Sequence, residues 1–323
     1  MPTRKMHADE VDTDVSLVSR MLAAQFPQWA DLPIEYLHSS GTDNAIFRLG
    51  GDMAVRLPRR HGATGQLDKE HRWLPRLAPL LPLSIPVPLA KGSPAEGYPW
   101  HWSIYRWLQG ETATIEPITD PGQAATDLAQ FVAALQRVDP TDGPQPGQHN
   151  SFRGVPLATR DAQTRAAIAS LGGAVDGGAV TAAWEAALRA PEWERAPVWI
   201  HGDLDSRNLL VEHGRLSAVI DFGCLGVGDP ACDAMVAWKV LSAETRDIFR
   251  AELSVDDATW ARGRGWALSQ ALMALSYLHA GDEPCARLRG SAMDGGGARR
   301  SRVDVPRRIA RVGRCENVRD ARA

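Results

Sequence analysis

No apolar run in the 323 residues approaches the length of a membrane span, so the sequence excludes a helical membrane protein and predicts no membrane partner. The opening stretch, Met1 to Glu10, has no apolar core and does not read as a signal peptide. The four cysteines, Cys224, Cys232, Cys285 and Cys315, show none of the close pairing that holds a metal. Without an export signal they are expected as free thiols in a cytoplasmic, reducing compartment. Positive charge is not in surplus. The net charge is -3, which gives no push toward nucleic acid, and no specific nucleic-acid partner is expected. Internal repeats are absent. What is left, 44% hydrophobic and 23% charged residues, describes an ordinary globular chain with one large or two modest domains.

One stretch carries the chemistry. From Trp199 the chain reads Ile-His-Gly-Asp, with an acid, Asp203, five positions before an amide, Asn208. The apolar run Leu209 to Val211, the polar turn Glu212-His213-Gly214-Arg215 and the apolar run Leu216 to Ile220 form a hairpin signature. It ends on a second acid, Asp221, followed by Phe222-Gly223. A hairpin brings its ends together, so Asp203, Asn208 and Asp221 are expected to converge. Phosphoryl transfer needs such a trio. One carboxylate orients the attacking hydroxyl and takes its proton, while an amide oxygen and a second carboxylate hold Mg²⁺ against the nucleotide phosphates.

The spacing Asp-x-x-x-x-Asn followed by Asp-Phe-Gly is that of the kinase catalytic loop and metal-binding segment. Here the first part reads His201-Gly202-Asp203, with glycine where protein kinases have arginine. In that variant the chain resembles the aminoglycoside phosphotransferase family, small-molecule kinases with a protein-kinase-like fold. The resemblance spans about residues 30 to 280 and is strongest between His201 and Asp233. It implies an α+β, bilobal fold, with an N-terminal antiparallel-sheet lobe carrying a helix and a larger helical C-terminal lobe. It also implies ATP or GTP as phosphate donor, Mg²⁺ as cofactor and a small-molecule alcohol as acceptor. In the reaction it makes Asp203 the catalytic acid-base group and His201 the residue that orients the catalytic loop. Asn208 and Asp221 become the metal ligands.

The remaining assignments follow the chain. Val11 to Phe26 has helical spacing, and Ile34 to Leu37 is a short strand. The polar turn Ser39-Ser40-Gly41-Thr42-Asp43-Asn44 leads into the apolar run Ala45 to Leu49, and its backbone is placed over the phosphates. Met53 to Leu57 is a strand with Arg56 in its interior. The kinase-like fold carries a lysine there, so Arg56 is assigned to the phosphates. Glu70, on the helical stretch Gln66 to Leu77, is its expected partner. The aromatic strand Trp100 to Leu108 ends at Gln109-Gly110, and the backbone of Tyr105, Arg106, Trp107 and Leu108 is assigned to the adenine-facing hinge. Helices are expected over Gln123–Val138, Thr159–Leu171, Val180–Ala190, Ala234–Leu241, 244–252 and 256–279. Asp229 and Asp233 read as braces of the catalytic loop and caps of the helix that follows.

The resulting division is a nucleotide-binding lobe over 1–108, a helical lobe with the catalytic loop and acceptor site over 109–280, and a tail over 281–323. The tail holds eleven arginines against six acids and has a disordered composition. Its surplus of five positive charges leaves the body at -8 within the total of -3. A negative body suits a cationic acceptor such as an aminoglycoside. Macrolides, choline-like alcohols and metabolite sugars stay open as acceptors. Two other readings are carried. One is a nucleotide-binding pseudoenzyme that acts by interaction, favoured by Arg56 and the unusual tail. The other is a protein kinase, opposed by Gly228-Asp229-Pro230, which leaves little room for an activation segment after Gly223.

Overall fold

The computed structural model describes residues 11–37 and 43–289. Helix α1 (Val15–Gln25) starts where the Asp14 carboxylate accepts the Leu17 amide at 2.7 Å. Strands β1 (Ile34–Leu37), β2 (Asn44–Leu49) and β3 (Met53–Pro58) form an antiparallel meander. After helix α2 (Gly65–Leu77) come β4 (Pro88–Gly92) and β5 (Trp102–Arg106), which close a five-stranded antiparallel sheet in the order β1-β2-β3-β5-β4. Alternation along β2 buries Ala45, Phe47 and Leu49. These pack with Val18, Met21 and Leu22 of α1 and with Val55, Trp102 and Ile104. The opposite face of β3 carries Arg56.

The chain leaves the sheet at Arg106, and β6 (Glu111–Thr112) pairs with the catalytic hairpin. Helix α3 (Pro121–Arg137), capped by Asp120, presents Leu128, Phe131, Val132 and Leu135 to the largest core. Helices α4 (Asp161–Leu171) and α5 (Gly177–Leu188) follow, then strand β7 (Val198–Ile200). The hairpin is β8 (Leu209–Glu212) and β9 (Arg215–Val219), turned at His213 and Gly214, both at positive φ. Strand β10 (Gly226–Gly228) then pairs antiparallel with β7, laying the segment after Asp221 against the strand before Asp203. The body ends in α6 (Ala231–Ala234), α7 (Val236–Lys239), α8 (Ala243–Leu253) and the long α9 (Asp257–Arg289). No helix among the described residues is long and apolar enough to cross a membrane.

Two expectations are corrected. One helix was expected over Ala234–Leu241; α6 instead ends at Ala234, and after a break at Met235 the short α7 covers Val236–Lys239. The last helix was expected over 256–279, ahead of a tail over 281–323, and α9 runs from Asp257 to Arg289. Residues 290–323, the rest of that tail, lie outside the described residues.

Candidate active site

Strand β7 delivers the chain to His201, where one buried carboxylate fixes the loop. Asp233 accepts the His201 amide through one oxygen and the Gly202 amide through the other, both at 2.7 Å. Burial pushes this carboxyl up, while the His201 ring and the two amides work against it. The His201 ring is fully buried. Its Nδ1 accepts the Asp203 amide at 3.2 Å, which assigns the ring proton to Nε2, the donor to the Ile220 carbonyl at 3.0 Å. Both nitrogens are thus spent on backbone, and the ring meets Phe222 edge-on with centroids 4.6 Å apart. His201 therefore positions the loop and ties it to Asp221. Gly202 has φ +83°, and a Cβ there would sit 2.7 Å from the Cys224 carbonyl oxygen. That contact dictates glycine where a protein kinase has arginine.

Asp203 is partly exposed and faces two cations, Lys239 Nζ at 3.5 Å and Arg153 Nη2 at 3.8 Å. Asn208 is held five residues on: its Nδ2 donates to the Asp203 carbonyl at 2.9 Å, and its own carbonyl accepts the Ile220 amide at 2.9 Å. The same bonds leave Asn208 Oδ1 as the outward acceptor and bring Asp221 beside it. Asp221 is a non-glycine residue at φ +62°, a strained setting that recurs at functional sites. Buried Phe222 anchors it in the core. Asn208 thus joins the backbone at Asp203 to Ile220, the residue before Asp221. Hard oxygens on Asn208 and Asp221 fit Mg²⁺, which takes few protein ligands and completes its shell with phosphate and water. No group of three or more His, Cys, Asp or Glu among the described residues could hold a metal alone.

On the sheet side, Arg56 Nη1 donates to both oxygens of Glu70, at 2.8 and 2.7 Å. Burial penalises the Arg56 charge, but Glu70, with Tyr105 and Asp221, outweighs it and pushes the guanidinium above its usual value. Tyr105 donates its hydroxyl to Glu70 as well. Gln66 Nε2 donates to Glu70 at 2.7 Å and reaches Asp221 Oδ1 at 3.4 Å. A polar chain thus runs from β3 through α2 to the Asp-Phe-Gly segment. Lys69 Nζ adds a bond to the Gly223 carbonyl at 2.7 Å.

The other nucleotide-side assignments divide. Ser39, Ser40, Gly41 and Thr42 lie outside the described residues. Asp43 is used as a brace: its carboxylate accepts from Arg60 Nε at 2.9 Å and its carbonyl from the Arg59 amide at 2.8 Å. Asn44 begins β2 with its Oδ1 buried and unpartnered among the described residues. In the hinge, the Arg106 amide donates to Val87 at 2.9 Å and the Trp107 amide to Asp52 at 2.7 Å. Those two donors are consumed inside the sheet, and Tyr105 turns its side chain to Glu70. Among the described residues only the Leu108 amide of the 106–108 segment has no hydrogen-bond partner.

Sequence reasoning gave no role to Gln66, Lys69, Arg153, Lys239 or Gln270. For Gln66 a signal existed, its i,i+4 spacing to Glu70. The others arrive from distant elements and have no local pattern.

A kinase-like phosphotransferase is the class that this sheet, hairpin and acid–amide–acid arrangement define. The chain belongs to the phosphotransferase enzyme family, whose model matches residues 37–266. Solved structures agree on the fold. An aminoglycoside 2'-phosphotransferase-IIIa variant in complex with GDP is 20% identical with a TM-score of 0.67, covering 86% of this chain and 95% of its own. The macrolide 2'-phosphotransferase MphH from Brachybacterium faecium is 22% identical with a TM-score of 0.60, covering 88% and 99%. A streptomycin–ATP ternary complex of APH(2")-IIa is 18% identical with a TM-score of 0.55, covering 81% and 90%. No curated protein sequence matches the chain.

Proposed function

We propose that the protein transfers the γ-phosphoryl group of ATP or GTP to a hydroxyl of a small molecule. Asp203 orients that hydroxyl and accepts its proton as the oxygen attacks γ-phosphorus. The bond from γ-phosphorus to the bridging oxygen breaks, and the nucleoside diphosphate leaves with that oxygen. Asn208 and Asp221 would hold Mg²⁺, which supplies charge neutralisation on the phosphates. Arg56, held by Glu70, meets the phosphates, and the Leu108 amide is the hinge donor to the base. Cytosol, where the donor is made and Cys224 and Cys232 stay free thiols, is the fitting compartment.

The observation that carries this reading is Asp203 joined through its own carbonyl to Asn208, with Asp221 alongside. Relatives of this fold include aminoglycoside phosphotransferases in complex with GDP, ADP or ATP and a macrolide 2'-phosphotransferase solved as apoenzyme, which supports a nucleotide donor and an alcohol acceptor. The test is diphosphate release from ATP and GTP by the purified protein across a panel of aminoglycosides, macrolides, choline and sugars. Acceptor-dependent release that disappears in Asp203→Ala is expected. A protein that binds nucleotide tightly yet releases nothing with either donor would instead be the pseudoenzyme.

A further inference from the structure

The charge around Asp203 runs opposite to the net charge of the body. Lys239 Nζ lies 3.5 Å from Asp203, 3.2 Å from Asp205 and 3.4 Å from Gln270 Oε1. Arg153 approaches Asp203 only at 3.8 Å, longer than a hydrogen bond, and its buried Nε has no partner among the described residues. Gln270 stands between the two cations with one carbonyl oxygen. In one orientation that oxygen accepts from Lys239, and in the other from Arg153 at 3.2 and 3.3 Å, so it cannot serve both. The Arg153 guanidinium lies 5.9 Å from the ring centre of Trp266, whose own buried Nε1 is also unpartnered. Arg160, 4.7 Å over the same ring, donates to Ser269 and makes no ion pair among the described residues. The carboxylate count does not rise to match, because Asp205 also serves Arg207 at 3.0 Å. Donors outnumber acceptors here, and among the described residues two buried N–H groups have no partner, a costly condition.

From this donor surplus we propose that the acceptor carries an anionic oxygen group, a carboxylate or a phosphate ester, bound by Arg153 and Lys239 beside the hydroxyl that Asp203 activates. The inference rests on the phosphotransfer reading above and fixes its substrate class. The phosphotransfer reading assigns the nucleotide's phosphates to a different set of residues, headed by Arg56. Lys239 and Gln270 come from α7 and α9, which contribute nothing to the chain Arg56–Glu70–Gln66–Asp221. A polycationic acceptor would have to bring its ammonium groups against Lys239 and Arg153, at a Coulombic cost in a partly buried site. The expectation of a cationic acceptor, drawn from a body of -8, averages over the whole surface and misses this local reversal.

The test uses four six-membered-ring sugars matched in skeleton: glucose, glucosamine, glucuronate and glucose 6-phosphate. Their dissociation constants from the full-length protein are measured by ligand-observed NMR at constant ionic strength. At least one anionic sugar should bind roughly tenfold tighter than glucose, with glucosamine weakest. Which of the two anions wins separates carboxylate from phosphate ester. The preference should collapse in Lys239→Gln and Arg153→Gln and persist in Arg153→Lys, which keeps the charge. The proposal is overturned if glucosamine binds as well as either anion, if no anion binds better than glucose, or if the preference survives both glutamine variants. It is equally overturned if those variants lose nucleotide affinity and leave the sugar preference unchanged, since the cations would then serve the donor. Nucleotide hydrolysis without any acceptor is followed in parallel. Its absence would count against phosphotransfer while leaving the anion measurement readable.

Discussion

One nitrogen of Arg56 bridges both oxygens of Glu70, at 2.8 and 2.7 Å, and Glu70 is 1% exposed. Removing the arginine strands a buried carboxylate with only the neutral donors Gln66 and Tyr105. Arg56→Ala should therefore cost about 3 kcal/mol of stability and weaken nucleotide binding. Arg56→Met combined with Glu70→Leu removes both charges, so most of the stability should return while nucleotide affinity stays low. Denaturant unfolding and nucleotide titration on the three proteins separate the two effects. If the double variant binds nucleotide like the parent, Arg56 has no part in holding phosphate.

In the proposed reaction Asp203 takes the hydroxyl proton, and its neighbours Asn208 and His201 are fixed by backbone bonds that do not need its side chain. Asp203→Ala should leave nucleotide affinity nearly intact and lower turnover by about 10²–10⁴. Parent-like turnover in the mutant would show that another group takes the proton.

Gly202 sits at φ +83° with the Cys224 carbonyl 2.7 Å from where a Cβ would lie. Gly202→Ala should cost about 1–3 kcal/mol, because both the backbone conformation and the contact must give way. The loop carries Asp203 one residue on, so turnover should fall even at temperatures where the variant is folded. A variant as stable as the parent would mean that the loop shifts without penalty.

Much of this site was legible because it is local. Asp203, Asn208 and Asp221 fall on one hairpin whose apolar runs and Gly214 turn declare their pairing, and Arg56 and Glu70 follow once a strand and a helix are placed. Lys239 was not legible. It reaches Asp203 across 36 residues, and Gln270 meets it across a further 31, through the packing of α7 on α9 rather than any spacing. The hinge shows a different limit: an aromatic strand marks where a hinge would lie, but the fold decides which amides are engaged, here Arg106 by Val87 and Trp107 by Asp52. Strands β7 and β10 are three residues each, too short for a periodicity to show.

Asp205 gives a pH dependence. Burial alone would raise its carboxyl, but Lys239 and the contacts from Arg207 prevail and hold it down at about 2. A carboxyl whose folded value lies below its unfolded value of about 3.9 adds stability above that pH and loses it as pH falls toward 2. The gap of about two units corresponds to roughly 2–3 kcal/mol. Asp205→Asn should lower stability at neutral pH by up to that amount and flatten the loss between about pH 4 and 2. Urea unfolding at a series of pH values reads both, and parallel curves for the two proteins would uncouple this charge from folding.

Metal dependence follows from how few ligands the chain supplies. Asn208 Oδ1 is left free because Nδ2 is spent on the Asp203 carbonyl, and Asp221 accepts only long bonds, 3.4 Å from both Gln66 and Gly223. Neither residue nor the pair can strip Mg²⁺ of much water, so binding should be weak without nucleotide and tighter with it. Linkage makes the effect mutual: Mg²⁺ must raise nucleotide affinity by the factor by which nucleotide raises Mg²⁺ affinity. Asp221→Asn keeps the shape and removes the charge, so it should cut that coupling strongly while metal-free nucleotide binds as before or better. Asn208→Ala deletes a neutral ligand and should cut it less. Nucleotide titrations at several Mg²⁺ concentrations measure the coupling directly, with no need for turnover. Equal Mg²⁺ dependence in parent, Asp221→Asn and Asn208→Ala would remove both residues from the metal site.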